Sequence, residues 1–441
     1  MRSVIIQPFP TTYQSHHNVR GSGLKRLAVL IFSLIFVLIL VYCGGSSSST
    51  PPVSKLQHRA FISNAYSGQL QIMDTQNDTT AYTAQTVNSA GQVIPGVPVT
   101  ISVGNSATWE TLSSDRSKTM VYDPSDNTVF FITNSSESIL TSVVLGGPAT
   151  MGLFSADGNS AYVPVSTVAV SGSRAGGIQV VSITNSNISA TWPVPSASIA
   201  AVSPSGQYLL VFASNSDSVF LIDTTATTPT AVEVPGFSRP VNAFFSGDSN
   251  TAYILNCGWE CGDPSPGQAS VVQFNLPNKT IQATVPVGGA SVGLMSGTTL
   301  YVAGTSFTAG PTFDSVNVSN MTRNTANSVA INPGLHTTMV LSMNNKLYIG
   351  AVTCSSSTVG CLSAVNVTTN TASTPTPPNC QIFGGTTCTG PITGMLAISG
   401  RNVIYVIDGG YQIIYDTTSD TLQQTQVIFN GALYTLVQVD Q

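Results

Sequence analysis

Short polar and apolar blocks alternate through residues 58–441 and recur in the same order. Each repeat has a polar turn rich in Ser, Asp and Gly, then an apolar strand, and often a second turn and strand. Helical periodicity is absent from this stretch of sequence. One side chain marks the strand in each repeat, at intervals of 40 to 61 residues: Phe61, Tyr122, Tyr162, Leu210, Tyr253, Tyr301, Tyr348 and Tyr405. The pattern predicts an all-β repeat protein.

The spacing of the repeats predicts a β-propeller. Four short strands and their turns need roughly 40 to 50 residues, which is the size of one four-stranded antiparallel blade. The stretch from residue 58 to residue 441 therefore predicts eight blades of about 48 residues each. Seven blades are the alternative, and a miscount would arise in the 61-residue interval between the first two strand positions.

The two ends of this region predict how the ring closes. The first repeat, residues 58–74, begins at its second strand, because the preceding stretch 44–57 contains no apolar strand. The last segment, residues 431–441, is a lone apolar strand beyond the final complete repeat. We expect it to form the innermost strand of the first blade, since that pairing leaves no open sheet edge.

The repeat resembles a known motif. Its clearest copies, residues 113–147 and 203–236, combine a Ser-rich turn, a strand centred on Tyr or Leu, a second turn and another apolar strand. This order resembles the YVTN-type propeller repeat, which is also found in lactonase-like and surface-layer proteins. The four letters occur here only as the variants YVPV, YILN, YVAG and YVID. The resemblance implies a propeller and says little about activity.

Several acidic residues in the repeats have a structural explanation. Asp115, Asp157 and Asp248 lie in the tight link between the first and second strands of a blade. Asp and Gly tolerate the backbone conformations of such turns. We therefore interpret these three carboxylates as turn residues rather than as catalytic acids.

The N-terminal region predicts export from the cytoplasm. Residues 1–26 form a tail that ends in Lys25 and Arg26, and residues 27–42 are apolar except for Ser33. Basic residues followed by an apolar run are typical of a secretory signal. The run of 16 residues is short for a spanning helix, which needs about 20.

A cysteine follows the apolar run and predicts attachment to a membrane. The segment 27–43 resembles a bacterial lipoprotein signal, in which Cys43 would carry the lipid and the Ser/Pro-rich linker 44–57 would be the tether. Tyr42 departs from that pattern, which has a small residue before the cysteine. An uncleaved anchor and cleavage with release are the alternatives. The favoured lipoprotein form places the propeller 58–441 outside the cytoplasm, held at the cell envelope.

Charged residues are scarce, at 7% of the chain, against about 25% in an ordinary soluble domain. After residue 26 the chain has 10 basic and 19 acidic residues, a net charge of −9. Without a basic cluster, this surface argues against nucleic acid as a partner. We expect a monomer that needs no cofactor.

Six cysteines follow Cys43 and fall into three local pairs. Oxidants outside the cytoplasm allow disulfides to persist, so we predict local disulfides, although six cysteines permit 15 connectivities. Metal ligation is the alternative, but His58 and His336 are the only histidines in the domain and lie far apart in sequence. The predicted pairs are Cys257 with Cys261, Cys354 with Cys361, and Cys380 with Cys388.

The long loops should gather on one face of the ring. Connections between the second and third strands of a blade emerge on the same face as the links between blades. The cysteine loops and two insertions, 166–177 and 305–314, all fall in such connections. Because elaborated loops on a rigid scaffold commonly host binding sites, we expect ligand contacts there. The candidates are Arg174, Trp259, Glu260, Asp263, Phe307 and Asp314.

Three functions fit these observations. The favoured one is a binding or scaffolding module at the cell envelope, with a protein or glycan partner on the loop-rich face. The second is a lactonase-like hydrolase with a site near the central channel, where acids, histidines or a bound divalent metal would act. His336 and Asp408 are the pair to test for that chemistry. The third is a purely structural surface protein.

Overall fold

The protein is an eight-bladed β-propeller. A computed structural model describes residues 53–440 except 84, 91, 95, 264–266, 325–327, 355–358, 376–389 and 424–431. Eight four-stranded antiparallel blades form a ring, which confirms the favoured prediction and rules out seven blades. The predicted tail, signal and Cys43, and the pair Cys380 and Cys388, lie outside the described residues.

Blades one to four use the first eighteen strands together with the last strand of the chain. These are β1 (Arg59–Asn64), β2 (Gln69–Asp74), β3 (Thr79–Thr80), β4 (Thr86–Val87), β5 (Val93–Ile94), β6 (Thr100–Ser102), β7 (Glu110–Leu112), β8 (Lys118–Asp123), β9 (Thr128–Thr133), β10 (Ser138–Val144), β11 (Leu153–Phe154), β12 (Ser160–Val165), β13 (Gly177–Ser182), β14 (Asn187–Pro193), β15 (Ala197–Val202), β16 (Tyr208–Ala213), β17 (Ser218–Asp223), β18 (Ala231–Pro235) and β36 (Leu433–Gln438). Blade two is β7 to β10, blade three is β11 to β14 and blade four is β15 to β18.

Blades five to eight use the remaining strands. These are β19 (Pro240–Phe245), β20 (Thr251–Asn256), β21 (Ser270–Asn275), β22 (Thr280–Pro286), β23 (Val292–Ser296), β24 (Thr299–Ser306), β25 (Gly310–Asn317), β26 (Thr322–Arg323), β27 (Val329–Ala330), β28 (His336–Leu341), β29 (Lys346–Ala351), β30 (Cys361–Asn366), β31 (Thr371–Ser373), β32 (Ile392–Ala397), β33 (Val403–Asp408), β34 (Tyr411–Asp416) and β35 (Thr421–Leu422). Blade five is β19 to β22, blade six is β23 to β27, blade seven is β28 to β31 and blade eight is β32 to β35.

The final strand closes the ring as predicted. In blade one, β36 is innermost and pairs antiparallel with β1, placing Phe61 opposite Val437. Arg59, at the start of β1, fixes this junction with a side chain that is largely buried. Its Nε lies 2.6 Å from Asp440 Oδ2, and its Nη1 lies 2.8 Å from Glu137 Oε1 in blade two. One guanidinium therefore joins the C-terminal strand, the first strand and the next blade.

The 61-residue interval in the sequence is an excursion within blade one and not a ninth blade. The outer strand of this blade is split, because β3 pairs with the end of β2 and β6 pairs with its beginning. Between these halves the chain forms the small β4–β5 hairpin. The excursion adds residues without adding a blade, which explains the long interval.

The first-to-second-strand turns confirm the structural interpretation of their acids. Ser155 Oγ donates to Asp157 Oδ1 at 2.5 Å, and the Asn159 backbone N–H donates to the same oxygen at 3.1 Å. Asp248 receives equivalent hydrogen bonds in blade five. These hydrogen bonds lower the pKa of Asp157, and the bond from Ser155 contributes most. The carboxylates are ionised turn caps.

A second polar contact links neighbouring blades through the repeat tyrosines. Tyr405 of blade eight donates its hydroxyl to Asp78, which lies in the turn after β2 of blade one. Arg401 binds the same carboxylate, with Nη2 2.7 Å from Asp78 Oδ2. In the same way Tyr348 of blade seven donates to Asp420 of blade eight at 2.6 Å. The blades next to the closing junction are thus joined by charge-assisted hydrogen bonds.

Replacing Asp78 with alanine should lower the free energy of unfolding by about 2 kcal/mol. It leaves the buried Tyr405 hydroxyl without its acceptor and the half-buried Arg401 with only the Thr75 carbonyl. Urea unfolding followed by circular dichroism measures this. Asp126→Ala, an exposed turn substitution, is the matched control and should change stability by less than about 0.5 kcal/mol. Equal midpoints for the two variants would contradict the proposed clamp.

Candidate functional site

The loop face contains a cleft between blades five and six. The β20–β21 connection, the link from β22 to β23 and the β24–β25 hairpin all contribute to it, as expected for connections that share a face. The cavity has a volume of about 290 Å³. Its lining includes Trp259, Gln268, Gly288, Ser306, Phe307 and Thr308. We call it the 5/6 cleft.

Trp259 is held on a short 3-10 helix, Gly258–Cys261, which follows β20. A disulfide between Cys257 and Cys261 spans the helix, confirming that predicted pair. The helix ends at Gly262, whose φ of 81° is left-handed and therefore suits glycine. The Trp259 backbone N–H donates to Gly267 O at 3.1 Å, tying the helix to the returning chain. The indole is thereby presented from a braced segment.

Phe307 lies at the tip of the β24–β25 hairpin. The predicted insertion at 305–314 takes the form of lengthened strands, because most of its residues belong to β24 and β25. Thr305 pairs with Pro311, and Ser306 pairs with Gly310, so only three residues make the turn. The insertion is therefore a paired hairpin that projects Phe307 at its tip.

The two aromatic rings meet at the mouth of the cleft. The centroids of Trp259 and Phe307 are 5.2 Å apart, with an interplanar angle of 63°, an edge-to-face contact. Trp259 is 42% exposed and Phe307 is 65% exposed. The structure therefore brings together two of the predicted contact residues and leaves much of their apolar surface accessible to a ligand.

Glu260 braces blade five against blade six instead of facing solvent. Its Oε2 accepts a hydrogen bond from the Thr305 backbone N–H at 2.7 Å. A Cβ on Gly304 would lie only 2.6 Å from this oxygen, so glycine is needed for the approach. Burial raises the pKa of Glu260, and the hydrogen bond from Thr305 opposes that rise. Its role beside the cleft is to position Thr305.

Asp314 and Asp263 also support the cleft from behind. Asp314 is fully buried on β25, where it accepts from the Gly288 backbone N–H at 2.7 Å and pairs with Arg323 at 2.6 Å. Asp263 accepts from Ser238 Oγ at 2.6 Å. Both acids hold segments that border the cleft, and neither supplies its surface charge.

The other predicted contact, Arg174, lies elsewhere on the loop face. It is an exposed residue of the β12–β13 connection in blade three and does not line the 5/6 cleft. A second predicted disulfide, Cys354 with Cys361, is present in the β29–β30 connection of blade seven. Several blades therefore have long connections on the loop face, but the described aromatic cleft belongs to blades five and six.

His336 and Asp408, the pair considered for catalysis, lie in neighbouring blades, on β28 and β33. His336 is buried at the start of β28, and its Nε2 lies 2.9 Å from Asn332 O. Asp408 ends β33 and accepts from the Gly390 backbone N–H at 2.7 Å. Asp123 ends the second strand of blade two and accepts from Asn105 in the same manner. Within the described ranges, no hydrogen bond or ion pair joins His336 to Asp408.

Sequence patterns did not single out the buried acid Glu110. Glu110, at the start of β7, accepts from the Ser63 backbone N–H at 3.3 Å, and burial raises its pKa well above the usual range. Its position between blades one and two is a consequence of ring closure. A cavity of about 510 Å³ is lined by apolar and neutral polar side chains, including Phe154, Phe244 and Phe245, and also by Thr111 and Leu112, which follow Glu110 on β7.

Neither a metal-ligand cluster nor a membrane-spanning helix occurs among the described residues. Within the part of the chain that the structure describes, no three His, Cys, Asp or Glu side chains are grouped as metal ligands would be. In the same part, no helix has the length and apolar character needed to span a bilayer. The apolar run 27–42 lies outside that part.

Comparison with known proteins identifies the fold. No model of a known protein family matches the chain, and no curated protein matches it in sequence. A solved structure of the dihydro-heme d1 dehydrogenase NirN, in complex with DHE, superposes with a TM-score of 0.60 at 12% identity, covering 87% of this chain and 75% of that one. The likeness shows the fold alone.

A second solved structure is that of a functionally unknown protein from Desulfotomaculum acetoxidans. It superposes with a TM-score of 0.49 at 13% identity, and the match covers 87% of this chain and 99% of that chain. A likeness at this level carries no functional information. The chemistry of the site must therefore be argued from the residues of this chain.

Asp408 provides a test of the structural role assigned to it. Burial raises its pKa to about 6, above about 3.9 in an unfolded chain, so the folded protein binds the extra proton between pH 4 and pH 6. Stability from this group is therefore complete below about pH 4 and is lost as pH rises through about 6.

The Asp408→Asn variant should remove this pH dependence while retaining an acceptor for Gly390. The unfolding free energy of the wild type minus that of the variant should fall by on the order of 2–3 kcal/mol between pH 4 and pH 7. Urea titrations at several pH values measure it. A difference that stays constant with pH would show that Asp408 is not held in the buried environment described.

Proposed function

We propose that this protein is an extracytoplasmic, membrane-tethered binding module that captures its partner in the 5/6 cleft. The main support is the exposed pair Trp259 and Phe307, which lies on a face built from braced loops. Partly exposed tryptophan is characteristic of residues that dominate binding energy. A propeller supplies the rigid support on which such a site depends.

The elements around the cleft support this proposal because they are preorganised. The disulfide at Cys257, the Glu260 hydrogen bond to Thr305 and the buried Asp314 all hold the aromatic residues before any ligand arrives. Preorganisation lowers the entropic cost of binding. Trp259 and Phe307 contact each other and so form one contiguous exposed apolar patch, which is the kind of surface that marks a binding site.

The tether is the second part of the proposal and rests on the N-terminal sequence. Basic residues, the apolar run 27–42 and Cys43 have the order of a lipoprotein signal, and the linker 44–57 would space the propeller from the bilayer. Leu56, shortly before β1, packs against the apolar cluster shared by blades one and two, so residues preceding it would continue from that side of the propeller. Binding would occur at the cell envelope.

Capture of an envelope component should depend on Trp259. Full-length protein is immobilised and exposed to envelope extract from the source organism, and the bound material is quantified. Trp259→Ala should reduce capture at least about tenfold, because it removes the largest apolar contact. Tyr66→Ala is the matched control, since Tyr66 is an 83% exposed aromatic residue in a second-to-third-strand connection of blade one. Equal capture by wild type and Trp259→Ala would refute the cleft as the site.

Lipid attachment at Cys43 is tested separately. Cells expressing the full chain are labelled with a clickable fatty acid, and we expect label on the wild type and none on Cys43→Ser, because only a thiol at this position can be acylated in the lipoprotein pattern. Ser46→Ala, in the same linker, should retain the label. A wild-type protein that stays in the membrane fraction without label would indicate the uncleaved anchor instead.

A further inference from the structure

The chemistry of the 5/6 cleft points to one class of ligand. We propose that the cleft binds a neutral glycan, with the apolar face of a sugar ring resting on Trp259 and Phe307 and its hydroxyls bound by neighbouring side chains. This inference rests on the proposed function, because it names the ligand of the same site.

The first support is the aromatic surface. The edge-to-face contact of the two rings forms a corner, and 42% of Trp259 and 65% of Phe307 remain exposed. A pyranose presents C–H bonds on one face and hydroxyls around its edge. Such a ring can cover an aromatic face while its polar groups stay at the margin of the contact.

The second support is the absence of charge from the described lining of the cleft. Its polar side chains include the exposed Gln268 and Thr308 and the half-buried Ser306, and each is neutral. The nearby acids already have partners: Glu260 accepts from Thr305, Asp314 accepts from Gly288, and the half-buried Asp263 accepts from Ser238. The amides and hydroxyls of the lining match the donors and acceptors of a neutral sugar.

The third support is the geometry of the neighbouring strands. An extended peptide commonly binds by adding a strand to an open sheet edge. Here β24 pairs with both β23 and β25, and β25 pairs also with β26 and β27. Beside the cleft, β23 pairs with β24 only as far as Ala303, and the Thr305 backbone N–H beyond it is already bound by Glu260. The hairpin therefore offers mainly side chains to a ligand. The volume of about 290 Å³ lies at the small end of ligand sites and suits one or two sugar rings.

Defined sugars test the proposal directly. The full-length protein is titrated with cellohexaose, maltohexaose and chitohexaose while tryptophan emission is recorded. Trp259 is exposed, whereas Trp109 is buried and Trp192 is half-buried in blade three, so a change that is lost in Trp259→Ala reports on the cleft. At least one neutral hexaose should perturb emission saturably. Trp259→Ala and Phe307→Ala should each weaken binding at least about tenfold by calorimetry, and Tyr66→Ala should leave it unchanged. Affinity should vary little between about 0.05 and 0.5 M salt.

Periodate separates this proposal from the broader one. Oxidation of the envelope extract cleaves vicinal diols, which 1,4-linked glucose units have and internal 1,4-linked N-acetylglucosamine units lack. Capture by the wild type should therefore be lost after treatment, or, if it survives, should be competed by chitohexaose. Capture that depends on Trp259, survives periodate and is competed by no neutral hexaose would overturn the glycan assignment and leave the binding function intact. Capture that never depends on Trp259 would overturn both. Tighter binding of the acidic hexagalacturonate than of every neutral hexaose would also contradict the proposal.

Discussion

Ring closure is the constraint on which the rest of this structure depends. Blade one exists only because β36, from the end of the chain, pairs with β1 at its beginning. Arg59 reinforces that seam by binding Asp440 and Glu137 together. The apolar clusters lie mainly between neighbouring blades, for example around Met120 of blade two and Val163 of blade three. Each blade therefore has a hydrophobic partner on both sides only while the ring is closed.

Much of the fold could be predicted because its determinants are local. A turn such as Ser155 with Asp157 needs only residues within five positions, and the strand after it shows its alternation directly. The terminal strand could be assigned because every other blade was complete. By contrast, the β4–β5 hairpin and the extended β24–β25 hairpin could not be predicted, since Ser, Thr and Gly residues serve loops and polar strands equally well.

The residues of the candidate site likewise fall into those set by local sequence and those set by distant contacts. Exposed aromatic residues at predicted loop positions, Trp259 and Phe307, could be selected from sequence, because a propeller gathers those loops on one face. The sequence could not show which acids support the cleft rather than line it, since their partners come from other segments. Glu260 binds a backbone group 45 residues away, and Asp314 binds one 26 residues away. Contacts of that kind follow from the packing of one blade against the next, which single-sequence patterns do not report.

The seam of blade one, where β36 pairs with β1, has a consequence for how the protein is made. The ribosome makes β1 long before β36, since Ser63 and Thr435, which touch in the finished seam, are 372 residues apart in sequence. The growing chain must therefore carry an unpaired β1 edge until β36 emerges. A chain that stops before Leu433 keeps that edge and is exposed to aggregation. Synthesis of β36 is thus the step at which the ring becomes stable, because only then is the β1 edge covered.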